Sequence, residues 1–123
     1  MFIPVPFAPP DRIPAVNAWV LQETAQTAGS KALALVTPNM PVSDVEPLLA
    51  HECFAGFKPY HTYSTTKPTF EALPGDFIPE WVWPLAHERG LVITLHLVRA
   101  GAMADMPPIR MPRLPRLAKP QSA

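Results

Sequence analysis

The stretch Asp76-Phe-Ile-Pro-Glu-Trp-Val-Trp-Pro-Leu-Ala-His-Glu-Arg-Gly-Leu-Val-Ile-Thr-Leu-His-Leu-Val98 decides the fold, because two structural periods meet in it. From Phe77 to Arg89 the apolar residues Ile78, Trp81, Val82 and Leu85 recur at helical spacing, and Gly90 supplies a stop, which predicts a helix. Pro84 interrupts that helix. An interior proline costs about 3 kcal/mol and removes one ladder bond, so a kink or a late helix start is expected. Gly90 then leads directly into the apolar run from Leu91 to Val98, read as a strand. Period two places Thr94 and His96 on one strand face and Ile93, Leu95 and Leu97 on the other. A helix-covered face prefers the aliphatic set, so Thr94 and His96 point toward a cleft or barrel interior.

The same alternation of helix and strand is found upstream. A helix from Asp11 to a stop at Gly29 is predicted, with Asp11 as its cap and a stripe through Ile13, Val16 and Val20, neighboured by Trp19 and Leu21. Lys31-Ala-Leu-Ala-Leu-Val-Thr37 follows, a continuous apolar run that fits a strand buried on both faces. Ser43-Asp-Val-Glu46 has the capping-box pattern and predicts a helix to about His51, irregular in its first turn at Pro47. Phe54 to Thr62 is the second strand, weakened by Gly56 and Pro59. Residues 64–75 form a long Thr- and Pro-containing loop, and the first ten residues form a proline-stiffened extended lead-in. Helices of crossover length between apolar strands imply an α/β fold with a parallel sheet, whose ligands bind at the carboxyl ends of the strands.

Composition bounds the function. A chain of 123 residues holds one modest domain. Its 48% hydrophobic and 16% charged residues suit a packed interior, whereas eighteen prolines against five glycines imply long connections and ragged helix starts. Four of the ten cations, Arg110, Arg113, Arg116 and Lys119, follow Pro108, where no acid occurs; residues before it carry 6 basic and 10 acidic side chains. An acidic body with a short basic tail gives no general nucleic-acid footprint. The division expected is a β/α domain over 1–106 and a Pro/Arg-rich disordered tail over 107–123. One cysteine, Cys53, excludes an internal disulfide and a CxxC metal site, and a reducing, cytoplasmic setting is expected. The N-terminus has no basic region ahead of an apolar core, and no apolar run reaches membrane-spanning length.

Few residues are placed for chemistry. His96, at the ligand-binding end of its strand, is either a metal ligand or a core histidine satisfied by backbone or threonine. Lys58, Tyr60 and Thr62 share one face of the second strand, and His61 lies on the other. Lys58 either holds a substrate carboxylate or extends its head to solvent from the strand end. Thr37 lines the mouth or caps the following turn. His51 and His87 belong to helix ends at the surface, Glu52, Glu71 and Glu80 have no defined partner, and Trp81 and Trp83 are packing residues. There is no Gly-rich phosphate loop, no GxSxG and no HExxH.

Three segments carry a resemblance. Ala34-Leu-Val-Thr-Pro38, Gly56-Phe-Lys-Pro-Tyr-His61, and Phe77-Ile-Pro-Glu-Trp81 with Ala86-His-Glu-Arg-Gly-Leu-Val-Ile-Thr-Leu-His-Leu-Val98 resemble part of the amidohydrolase-related family, over roughly residues 1–105. Its members are metal-dependent TIM-barrel hydrolases and decarboxylases. The resemblance implies a partial TIM-barrel-like fragment of three or four strands, because a whole barrel needs about 200 residues or more. It implies a divalent metal, zinc, with His96 at the position of the family's middle-strand histidine ligand, and a carbonyl-bearing small-molecule substrate contacted by Lys58 and Tyr60. The family's other ligands are an HxH pair, a further histidine on the next strand and a last-strand aspartate. This chain has no HxH and no histidine after His96, and Asp105 lies too close to His96 for that aspartate. A truncated or frameshifted piece lacking most metal ligands is therefore expected. The alternative is a non-catalytic α/β fragment or interaction module that self-associates through exposed sheet edges.

Overall fold

The computed structural model describes residues 1–4 and 6–95. Three strands, β1 (Ala32–Ala34), β2 (Phe54–Phe57) and β3 (Val92–Ile93), form a parallel sheet in the order β1-β2-β3. Helix α1 (Ile13–Thr24) precedes the sheet, and α2 (Val82–Arg89) lies between β2 and β3 in the chain. The fold is α/β. The lead-in contributes more than an extended approach: Phe2 bridges Ala32 in parallel, its N–H donating to the Lys31 carbonyl at 2.7 Å and its carbonyl accepting from Leu33 N–H at 3.0 Å. Every neighbour in the sheet is therefore also a neighbour in chain order.

Packing rotates α1 away from the stripe expected for it. Ile13, Asn17, Leu21 and Thr24 are its buried residues, while Val16 and Val20 are half-buried and Trp19 is 62% exposed. The helix starts one residue past Arg12, and neither Asp11 nor any other side chain caps it, because a short 3₁₀ turn over Pro10–Arg12 occupies the place of a cap. Asn17 decides the rotation. Its side-chain amide donates to the Leu35 carbonyl at 2.9 Å and its side-chain oxygen accepts from Leu35 N–H at 2.8 Å. The side chain thus serves the backbone of Leu35, and β1 ends at Ala34 although Leu35, Val36 and Thr37 stay buried. Burial of Ile13 and Leu21, each worth roughly 1.5–3 kcal/mol, fastens the helix, and the amide fixes its angle.

The region after β1 departs from expectation. Ser43 to Glu46 makes no capping box; two 3₁₀ turns, Val42–Asp44 and Glu46–Ala50, replace the helix. Pro47 lacks the N–H that an α-helix would direct to Ser43, and short i→i+3 turns dispense with that bond. Strand β2 covers only the start of the predicted run, ending before Lys58-Pro59, where proline cannot donate. Gly56 does not mark a weak end. It is central, paired with Leu33 and Val92, and a Cβ there would overlap the Val92 backbone. The loop at 64–75 holds a 3₁₀ turn at Thr69–Glu71 and leads into another at Pro74–Asp76, where the Asp76 carboxylate accepts from Leu73 N–H at 2.9 Å.

Pro84 delays α2 rather than kinking it. The helix begins at Val82, so the proline falls in its first turn, where a missing N–H leaves no broken bond. Ile78, Val82 and Leu85 are buried and Trp81 is half-buried, as the stripe predicted. Gly90 closes the helix at φ 65°, a left-handed conformation in which an L side chain is strained. Within β3 and its extension the period-two pattern is present: Leu91, Ile93 and Leu95 are half-buried against the core, whereas Val92 and Thr94 are exposed. His96 and the tail over 107–123 lie outside the described residues.

Two substitutions test this account in urea denaturation. Asn17→Ala strands a buried N–H and a buried carbonyl of Leu35 and should lower stability by roughly 2–4 kcal/mol; a loss below about 1 kcal/mol would show that the amide pair does not hold α1. Gly56→Ala should cost about 3 kcal/mol or prevent folding, since the obstructing atoms are backbone, and wild-type stability would rule out the close approach of β2 and β3.

Candidate functional site

At the carboxyl ends of the strands the chain converges on β2. Lys58 follows that strand directly, and its N–H donates to the Ala34 carbonyl at 2.8 Å, so the sheet fixes its backbone. Its side chain is half-buried, with Nζ 5.3 Å from the centre of the Tyr60 ring. That distance lies within reach of a cation–π attraction, worth about 0.5–1 kcal/mol where solvent still reaches the cation. Lys58 and Tyr60 are thus brought together as their spacing predicted, Tyr60 still extended beyond the end of β2.

Tyr60 is 8% exposed, and its hydroxyl donates to the Pro4 carbonyl at 3.2 Å. Tyr63, three residues on, donates to the Ala8 carbonyl at 2.8 Å. The two phenols therefore clamp the lead-in over the end of the sheet. Burial raises the Tyr60 hydroxyl above the ordinary tyrosine value; burial first, and the charge of ionised Tyr60 second, raise Tyr63. Both phenols are neutral donors at neutral pH. Tyr60 is thereby tied to structure at one end of its ring and faces a cation across its π system, a geometry for orienting Lys58 rather than for proton transfer.

The other predicted residues are dispersed. Thr62 leaves the shared face, because a 3₁₀ turn over His61–Tyr63 replaces the strand there, and it is exposed. His61 is half-buried, with Nδ1 3.3 Å from the Thr69 carbonyl. A carbonyl only accepts, so in this bond Nδ1 is the donor. Thr37 is buried, and its carbonyl accepts from Met40 N–H at 3.1 Å, closing the turn after β1. His51, His87, Glu52, Glu71 and Glu80 are all exposed. Trp81 packs edge-on against Phe57 at 5.9 Å and donates to the Met40 carbonyl at 2.8 Å, a packing role.

The zinc expectation rests on His96, which lies outside the described residues. Among the described residues no three His, Cys, Asp or Glu side chains are grouped to hold a metal ion, so they do not by themselves supply a zinc site. No helix among them is long and apolar enough to cross a membrane. At the opposite, amino end of the strands a cleft of about 390 Å³ is lined by Lys31, His51 and Cys53 among others, and the Lys31 ammonium donates to the Glu52 carbonyl at 3.0 Å.

Sequence reasoning missed two residues that shape the site. Asn17 sits four residues from both Ile13 and Leu21, so a core stripe interrupted by an amide was there to be read. Tyr63 repeats Tyr60 at a spacing of three, a signal for two phenols working on one segment. No family model, curated protein or solved structure matches the chain.

The tyrosines give a direct check by ultraviolet titration of phenolate. The chain has two, and both should ionise with midpoints above about 10, the value expected for the unfolded chain. Because burial raises both folded values, their contribution to stability is complete below pH ~10 and is lost as the pH climbs through the folded midpoints. Midpoints at or below ~10 in the folded protein would show that the lead-in does not cover these rings.

Proposed function

We propose that the chain is a partial member of the amidohydrolase-related family, hydrolases in which a divalent metal, zinc here, activates water against a carbonyl-bearing substrate. The observation that carries this reading is the sheet: parallel strands laid down strictly in chain order, with Lys58 at the carboxyl end of the middle one. In a closed (β/α) barrel successive strands are neighbours and the binding groups gather at that end, and one half of a doubly wound sheet has the same local order. A TIM-barrel-like fragment is one architecture this order fits, and the one the family resemblance favours. The exposed Val92 and Thr94 face of β3 corresponds to the inward face of such a barrel.

In this reading Lys58 holds the anionic or carbonyl oxygen of a small-molecule substrate. Its backbone is set by Ala34 and its ammonium by the Tyr60 ring, so only the head group must reorient on binding. His96 is the residue offered to the metal. The described side chains add no ligand set to it, and no chemical step on this chain is assigned to the ion.

A second reading follows from the sheet's edges: a non-catalytic α/β module that associates with further copies. Phe2 and Ile3 on the lead-in edge are 45% and 43% exposed, and no further strand covers that edge among the described residues.

Metal analysis of the purified full chain separates the two. Near-stoichiometric zinc that is lost in His96→Ala supports the hydrolase reading, and in that case Lys58→Met should weaken binding of a carboxylate substrate about tenfold or more. Metal-free protein after refolding with zinc sinks it and leaves the interaction module.

A further inference from the structure

Helix α1, together with Arg12 at its N-cap, carries a second stripe that the core does not use. Arg12, Val16, Trp19 and Glu23 are spaced by four, three and four residues, the repeat of one helix face. At 100° per residue this face lies roughly 120° around the helix from the buried Ile13, Asn17, Leu21 and Thr24. Arg12 and Glu23 are exposed, Val16 is half-buried, and Trp19 is 62% exposed. An isolated surface leucine needs no explanation, but an exposed tryptophan beside an apolar groove does. Phe2, Ile3, Val16, Trp19 and Val20 line a groove of about 500 Å³, with Glu23 at its rim.

The stripe is complementary to itself when reversed. A two-fold axis crossing α1 between Asn17 and Ala18 sets Arg12 opposite Glu23 of a second copy, and Val16 opposite its Trp19. Both pairs occur twice, as a two-fold interface requires. In an antiparallel helix pair these are the positions that meet across the seam. A parallel pairing would instead set arginine against arginine and glutamate against glutamate. The charges thus name both the occupant and its direction.

We infer that α1 is the interface of an antiparallel two-fold dimer, in which Trp19 of each copy fills the groove between α1 and the Phe2–Pro4 edge of the other. The dimer does not rest on the hydrolase reading, and it places self-association on a helix face rather than on the sheet edges. Two short helix faces with one groove each make an interface at the small end of the specific range, so a transient dimer is expected.

Sedimentation equilibrium of the full chain from about 1 µM to 1 mM tests it. A concentration-dependent dimer is expected, and Trp19→Ala should raise its dissociation constant about a hundredfold, because two symmetric anchors are removed. Arg12→Glu and Glu23→Arg should each weaken it about tenfold, since each turns both attractive pairs repulsive. Equimolar mixing of these two single variants should restore association, because in the mixed dimer every facing pair is again opposite in sign. The double variant R12E/E23R should recover as well. All these positions are exposed; should Trp19→Ala nonetheless lose its helical circular dichroism, the mixing result decides. A chain that stays monomeric throughout, a dimer indifferent to Trp19→Ala, or single variants that fail to rescue each other would each overturn the assignment. Larger oligomers insensitive to α1 would point to the sheet edges in its place.

Discussion

The contact on which the rest depends is the pair of hydrogen bonds between the Asn17 side chain and the backbone of Leu35. A primary amide presents an N–H donor beside a carbonyl acceptor, so it can satisfy both backbone groups of one residue where a strand stops pairing. Leu35 is fully buried, and unpaired polar groups there would cost several kcal/mol. One side chain thereby does three things. It ends β1, it keeps the chain through Val36 and Thr37 inside without a ladder, and it sets the rotation of α1. Turning Asn17 inward turns Trp19 out, so the exposed indole is a consequence of a polar demand in the core and not a failure of packing.

The sheet is held by a second constraint of a different kind. Gly56 lets β2 and β3 approach so closely that a Cβ would meet the Val92 backbone. Glycine normally weakens a strand interior, but here Phe54 and Phe57, in edge contact at 5.4 Å, supply the apolar mass on either side of it. Because Gly90 turns the chain sharply out of α2, β3 starts immediately beside this gap, and Thr94 N–H reaches the Phe57 carbonyl at 3.0 Å. The carboxyl ends of β2 and β3 are therefore in register, which aligns Lys58 with the start of the segment leading to His96.

The α/β class, the parallel sheet and the approximate positions of its three strands were legible, because continuous apolar runs bounded by proline, glycine and threonine leave little choice. The late start of α2 was one of the two outcomes legible at Pro84, the other being a kink. What was missed was the polarity of the core: Asn17, four residues from both Ile13 and Leu21, takes its inward role from a partner eighteen positions away. The capping-box pattern at Ser43 misled because a motif of side chains says nothing of Pro47, whose missing N–H removes the helix the motif would start. The pairing of Phe2 was hidden by brevity, a single bridge just ahead of Pro4 carrying no period at all. At the site, the closeness of Lys58 and Tyr60 followed from their spacing, whereas Tyr60's grip on Pro4 joins residues 56 apart and has no local trace.

That grip joins the two regions for which a role is proposed. Pro4 lines the groove beside α1 and, through its carbonyl, holds the hydroxyl of the ring over which the Lys58 ammonium rests. Whatever fills the groove bears on the lead-in, and the lead-in sets Tyr60. Any coupling between the two sides of Phe2–Pro4 is reciprocal, each changing the other's free energy by the same amount. The coupling passes through one neutral hydrogen bond, worth about 1 kcal/mol net, so it can bias the orientation of Lys58 by several-fold but cannot act as a switch. The groove and the cation are thus two ends of a single short segment, and the cation's position is a modest readout of whether that segment is covered.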